Sequence, residues 1–167
     1  FPIGKYKAIL DFNFSRTIEN IKTLESFSDD LRKSVKGLDK TDLKKSYRNG
    51  GMNIAQIIHH FCDTHTYAFL RTKHTLLEDN PNVKMYDVAE FLTTPDSNVL
   101  DVKDSLNVIE GVHAKWVSLL KTLSEDDLKK TYYHSSRDKN IILHEHVGMY
   151  AWHTKHHIMH IEIAKKN

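Results

Sequence analysis

Histidine is the residue through which this chain can do chemistry. It carries 12 among 167 residues, and five of them fall between His146 and His160. An α-helix advances about 100° per residue. With His153 set at zero, His157 falls near +40°, His160 near −20° and His146 near +20° on such a helix, all on one narrow stripe. Ile142 and Met149 flank that stripe, which therefore faces inward. Histidines at i and i+4 lie one above the other, so His153 and His157 can both reach one cation. Imidazole is a neutral, borderline-soft ligand suited to zinc, nickel, copper or iron. A catalytic site of the zinc type takes three protein ligands and keeps one position open.

The third ligand must come from elsewhere in the chain. A second apolar segment carries His59, His60 and His65. His65 lies near the centre of its apolar stripe, whereas His60 sits at the edge, roughly 120° away. Burial alone favours His65. His60, however, heads a stripe with Thr64, Tyr67, Arg71 and Glu78, which reads as one wall of a polar cleft. Both stay open at this level. In that wall Arg71 is the candidate anion holder, because a guanidinium grips a carboxylate at two points. Tyr67 and Glu78 are candidate assistants; the alternative makes Arg71 and Glu78 a surface ion pair. His59, His74, His134, His144 and His156 read as solvated or structural, and His113 and Trp116 as core.

Three neutral imidazoles leave a metal's charge uncompensated, which acidifies a bound water or thiol. Hydrolysis and thiol transfer of a small-molecule substrate are the two reactions this permits. A fourth ligand from His160 or His146 would instead close the site and make a non-catalytic, metal-binding stress-response module.

The elements that must position these groups are long helices. Three prolines and six glycines leave long unpunctuated stretches. Residues 1–13 read as irregular. Helical periodicity predicts a first helix from about Arg16 to Lys36, ended by Gly37. A second runs from a cap at Asn53 to about Glu78, a third from about Val102 to Thr122, and a fourth from about Asn140 to Ala164. Residues 80–102 form the longest candidate loop, a lid or a wall of a site. An internal repeat is visible: Leu38-Asp39-Lys40-Thr41-Asp42-Leu43-Lys44-Lys45-Ser46-Tyr47 resembles Leu123-Ser124-Glu125-Asp126-Asp127-Leu128-Lys129-Lys130-Thr131-Tyr132. Each copy precedes an Asn-Ile pair, Asn53-Ile54 and Asn140-Ile141, expected to open a histidine-bearing helix. Two such units make an all-α, single-domain antiparallel four-helix bundle over residues 1–167, with one long crossover.

Composition narrows the rest. A formal net charge of +2 with interspersed signs argues against nucleic acid or an anionic membrane as partner. No apolar run approaches the roughly 20 residues that span a bilayer. The single cysteine, Cys62, suits a reducing compartment, and Phe1-Pro2-Ile3-Gly4-Lys5 is not a signal peptide, so a cytoplasmic setting is expected.

The stretch Asn49-Gly50-Gly51-Met52-Asn53-Ile54-Ala55-Gln56-Ile57-Ile58-His59-His60-Phe61-Cys62-Asp63-Thr64-His65 resembles the first ligand helix of the DinB-like superfamily, in its YfiT-type branch of metal-dependent hydrolases. Trp152-His153-Thr154-Lys155-His156-His157-Ile158-Met159-His160-Ile161 is similar to its second ligand helix. Tyr67 to Arg71, Glu78 to Pro81, Met85-Tyr86-Asp87, His113 to Trp116 and Phe1 to Tyr6 extend the resemblance along the whole chain. It implies an up-down-down-up bundle and a metal held by His60, His153 and His157, with His60 chosen over His65 by the motif. It further implies one zinc or nickel ion per chain, a homodimer, and relatives that transfer low-molecular-weight thiols such as bacillithiol. Met52 departs from the tryptophan common at its position.

Overall fold

The computed structural model describes residues 1–83 and 87–167. Four long helices dominate: α1 (Phe14–Val35), α3 (Ile54–Leu77), α5 (Lys103–Leu120) and α7 (Leu143–Ala164). Between them lie the short helices α2 (Lys40–Leu43), α4 (Val88–Phe91) and α6 (Glu125–Lys129), and the strands β1 (Thr131–His134) and β2 (Lys139–Ile142). The predicted ends of the first three long helices agree with these to within two residues.

Local chemistry sets those ends. The Asn13 side chain accepts from the Arg16 backbone N–H at the start of α1. Asn53 and Gln56 cap α3 reciprocally, each side chain bonding the other's backbone. After α1 the chain reverses at Gly37, whose φ of 81° costs a residue without Cβ nothing.

The direction of each helix follows from its core contacts. One cluster joins Phe27 and Leu31 of α1, Ile54 to Phe61 of α3, Ile109 of α5, and Ile161 and Ala164 of α7. A second joins Ile21 and Leu24, Ala68, Trp116 and Leu120, and Val147 to Ala151. The C-terminal ends of α1 and α7 therefore share one end of the bundle with the N-terminal ends of α3 and α5. The topology is up-down-down-up, and the parallel pair α3 and α5 needs the long crossover between them. That crossover carries α4 and a 3₁₀ turn at Pro95–Asn98. It is tied down by Gln56 Nε2 donating to Asn98 Oδ1 at 3.1 Å and by the Val99 carbonyl bonding His59 Nε2 at 3.0 Å. Lys84, Met85 and Tyr86, two of which belong to the motif Met85-Tyr86-Asp87, lie outside the described residues.

Two expectations need correction. The fourth long helix begins at Leu143 rather than Asn140, because residues 139–142 pair antiparallel with residues 131–134. Thr131-Tyr132-Tyr133-His134 and Asn140-Ile141-Ile142 are rich in β-branched and aromatic residues, and Asp138 takes the left-handed turn at φ 46°. The repeat is genuine but its register differs. Lys45 O accepts from Ile54 N in the first unit at 3.0 Å, and Lys130 O accepts from Leu143 N in the second at 2.9 Å. Ser46 bridges Asn53 as Thr131 pairs Ile142. Asn53 therefore corresponds to Ile142, not to Asn140. The second unit has expanded its single bridge into a hairpin.

Candidate metal centre

His60 lies in the second turn of α3, and His153 and His157 lie one turn apart on α7. His60 Nε2 and His153 Nε2 face each other at 3.2 Å. One ring nitrogen from each of the three histidines falls within 4.8 Å of the other two. Phe61 sets its ring edge-on against both His153 and His157, with centroids 5.6 Å away.

These residues fit a transition-metal ion. Two imidazole nitrogens at hydrogen-bond distance need a proton or a cation between them, since two lone pairs repel. Tetrahedral ligands at 2.0–2.1 Å from zinc stand about 3.3 Å apart, close to the separation of the His60 and His153 pair. All three rings are neutral at physiological pH and so have lone pairs to offer. Burial lowers His60 to about 4 and holds His153 and His157 well below the ordinary imidazole value, with neighbouring histidines adding to the effect on the latter two.

The three rings have further partners. Thr64 Oγ1 lies 3.2 Å from His60 Nδ1, His65 Nε2 lies 3.1 Å from His153 Nδ1, and His160 Nδ1 lies 3.2 Å from His157 Nδ1. Such outer partners orient ligand rings and raise their basicity.

Two of the three histidines, His60 and His153, open onto a cavity of about 440 Å³. Its described lining includes Lys5, Arg71 and Arg137 and no carboxylate. Arg71 is buried, donates from Nη1 to Tyr150 Oη at 3.2 Å, and sets its guanidinium 5.6 Å from the centre of the Tyr67 ring. A smaller cavity of about 280 Å³, around Tyr6 and Glu145, contains none of the three histidines.

Residues 23–161 match the DinB superfamily. The chain is a member of the DinB superfamily. Among its relatives is a Geobacillus kaustophilus protein named "Putative metal-dependent hydrolase", 35% identical over 99% of this chain and 93% of its own length. Another is YfiT of Bacillus subtilis, which carries the same description and is 32% identical over 99% and 94%. The solved YfiT structure, described as a probable metal-dependent hydrolase with an unusual four-helix bundle topology, superposes with a TM-score of 0.95 over 99% of this chain and 95% of that one. A mycothiol-dependent maleylpyruvate isomerase shares the fold at a TM-score of 0.66 and 12% identity, over 87% of this chain and 60% of that one.

In this DinB-superfamily chain the motif residues His60, His153 and His157 converge, and His65 does not replace His60. His65 is fully buried and bonds His153 from behind. Of the cleft wall, Arg71 and Thr64 reach the cavity and Tyr67 supports Arg71 from the side. Glu78 sits at the C-terminal end of α3 on the surface, where His74 Nδ1 approaches it at 2.5 Å, and does not line the cavity. His59 is structural, held by Ser105 Oγ and the Val99 carbonyl. His156 is buried rather than solvated, stacked on Trp152 with centroids 4.5 Å apart.

Sequence reasoning missed Arg137 and set His134 aside, although both line the cavity. They sit on the hairpin that periodicity did not reveal. Burial, with the charges of Arg137 and Arg71, lowers His134 to about 4. The strand signals in Thr131–His134 and Asn140–Ile142 were the available clue.

Proposed function

We propose that the chain is a metal-dependent enzyme in which His60, His153 and His157 hold one zinc or nickel ion, and that its substrate is an anionic small molecule. The observation that carries this reading is the pairing of three neutral imidazoles with an open, cationic cavity whose described lining holds no carboxylate. When bound, the ion lowers the pKa of a water or thiol to the neutral range. Arg71 is held by Tyr150 and Tyr67 before any substrate arrives, so it can grip a carboxylate at little entropic cost. Glu78 has no part in this reading.

Hydrolysis is the first reaction, in keeping with how the relatives are described. Transfer of a low-molecular-weight thiol is the second, because a cavity of about 440 Å³ lined by Lys5, Arg71 and Arg137 also suits a carboxylate-bearing thiol. A closed, purely structural metal site is disfavoured. His146 is committed to Tyr132 and the Ala68 carbonyl, and His160 groups with His156 and His157 rather than with His60 and His153. A cytoplasmic homodimer completes the reading, with size-exclusion chromatography as its check.

The test uses metal-replete protein with two substrate sets: carboxylate-bearing esters and amides, and a low-molecular-weight thiol with a bimane electrophile. Metal-dependent turnover is expected in one set. Arg71→Met should raise KM for the anionic substrate by about 10–100-fold, the worth of a charge-assisted hydrogen bond, with metal stoichiometry intact. No metal-dependent product in either set leaves the non-catalytic, stress-response module as the better account.

A further inference from the structure

Behind the three converging histidines, two more histidines fill the centre of the bundle. His113 Nδ1 lies 2.8 Å from the Leu24 carbonyl oxygen. His113 Nε2 lies 2.7 Å from His65 Nδ1, and His65 Nε2 lies 3.1 Å from His153 Nδ1. The line starts on α1, passes through α5 and α3, and ends on α7, so all four long helices contribute one member.

We propose that His65 and His113 are positioning residues which, anchored on the Leu24 carbonyl, lock His153 as its Nδ1–H tautomer and aim a bare Nε2 at the metal. Its metal half rests on the reading above; the tautomer half stands without it.

The assignment follows from donors and acceptors alone. A row of neutral imidazoles can point its protons either way along the row. A backbone carbonyl only accepts, so it breaks that symmetry. His113 must carry its proton on Nδ1 and present a lone pair at Nε2. His65 must then donate from Nδ1, which leaves its Nε2 as an acceptor. His153 must donate from Nδ1, and its Nε2 keeps the lone pair that faces His60 Nε2. The opposite sense would set a nitrogen lone pair against the carbonyl oxygen.

Neutrality follows from enclosure. His65 and His113 are 0% and 2% exposed, and their ring neighbours are aromatic. Phe27 stacks on His65 with centroids 5.1 Å apart and packs 4.7 Å from His113; Trp116 meets both rings edge-on at 6.2 Å and 5.9 Å. Trp116 is itself fixed, donating from Nε1 to Thr72 Oγ1 at 2.9 Å. These contacts also resist ring flips. Because the row ends on a carbonyl, which takes up no proton, it orients His153 rather than conducting protons away.

The test compares two replacements at His113, which does not touch His153. Phenylalanine fills the ring's place but has no polar atoms. Glutamine packs less well, yet its amide can donate to the Leu24 carbonyl and accept from His65. Under the proposal His113→Phe weakens zinc affinity by about 10–100-fold, the range for residues that support a ligand, while His113→Gln stays within about threefold of the parent. A packing role predicts the reverse order. A second readout is independent of metal: long-range ¹H–¹⁵N correlation spectra of chelator-treated parent protein should place the protons of His65 and His153 on Nδ1. A proton on Nε2 of either ring overturns the proposal, as does His113→Phe binding zinc as tightly as the parent. If His113→Phe does not fold, the parent spectra decide. If the parent takes up neither zinc nor nickel, the proposed function fails while the spectra still decide the tautomer.

Discussion

His146 and His153 sit seven residues apart on the same face of α7, and the bundle gives them opposite tasks. His146 is wholly buried, with the Ala68 carbonyl 3.1 Å from Nε2 and the Tyr132 hydroxyl 2.9 Å from Nδ1. One partner only accepts and the other can donate, so both nitrogens are satisfied by the protein itself. His153 meets a histidine on each side, and one nitrogen is left facing His60. Identical residues on one helical stripe thus become a structural brace or a candidate ligand according to what the opposing helices present. An imidazole is spare for chemistry only where the surrounding fold does not use both of its nitrogens.

The largest effect should come from the proposed ligands. Replacing His153 and His157 together with alanine should weaken zinc or nickel binding by well over about 100-fold, beyond what supporting residues carry. The check is metal content per chain after dialysis, and retained uptake would break the contrast with His146. His146→Ala should do the opposite. It leaves a cavity and strands the Tyr132 hydroxyl and the Ala68 carbonyl, costing about 2–4 kcal/mol in urea unfolding. Metal content should stay at one ion per chain.

A third measurement sharpens the brace. Burial, with the Arg71 charge adding to it, lowers His146 to about 3. In the unfolded chain an imidazole takes its proton near 6.5. Between these values only the unfolded state binds the proton, so stability is full above about pH 6.5 and falls with acid, by about 1.4 kcal/mol per pH unit. His146→Gln, which can still donate to Ala68 and accept from Tyr132, should remove about one proton's worth of that slope between pH 6 and 4. An unchanged slope would mean that His146 is not enclosed as described. Tyr132→Phe should cost less, about 1–2 kcal/mol, with metal content unaffected. The smallest effect belongs to Glu78→Gln at the surface, where metal content and turnover should stay within about twofold of the parent; a larger loss would return Glu78 to the site.

Much of this is legible in the sequence alone. The 3.6-residue period of Ile18 to Val35, Ile54 to Phe69 and Leu106 to Leu120 fixed three helices, because an amphipathic stripe has one stable use. Asn53 with Gln56 marked a helix start, since a cap needs only local partners. The stripe of His146, His153, His157 and His160 was visible for the same reason. The hairpin was not. Its eight strand residues carry no long period, and their pairing depends on the turn at Asp138. With it went Arg137 and His134, the cavity residues that it delivers.

The amino-acid sequence by itself determined that long helices form and that histidines line one face of two of them, because both are consequences of spacing along a single helix. Periodicity left His60 and His65 open, with only the family motif pointing to His60, and tertiary packing decides which histidine meets which. His60 rather than His65 faces His153 Nε2, His113 reaches the Leu24 carbonyl, and Glu78 is left outside, because each outcome depends on how α1, α3, α5 and α7 are rotated against one another. Periodicity sets a residue's angle on its own helix, and the partner across the gap belongs to another.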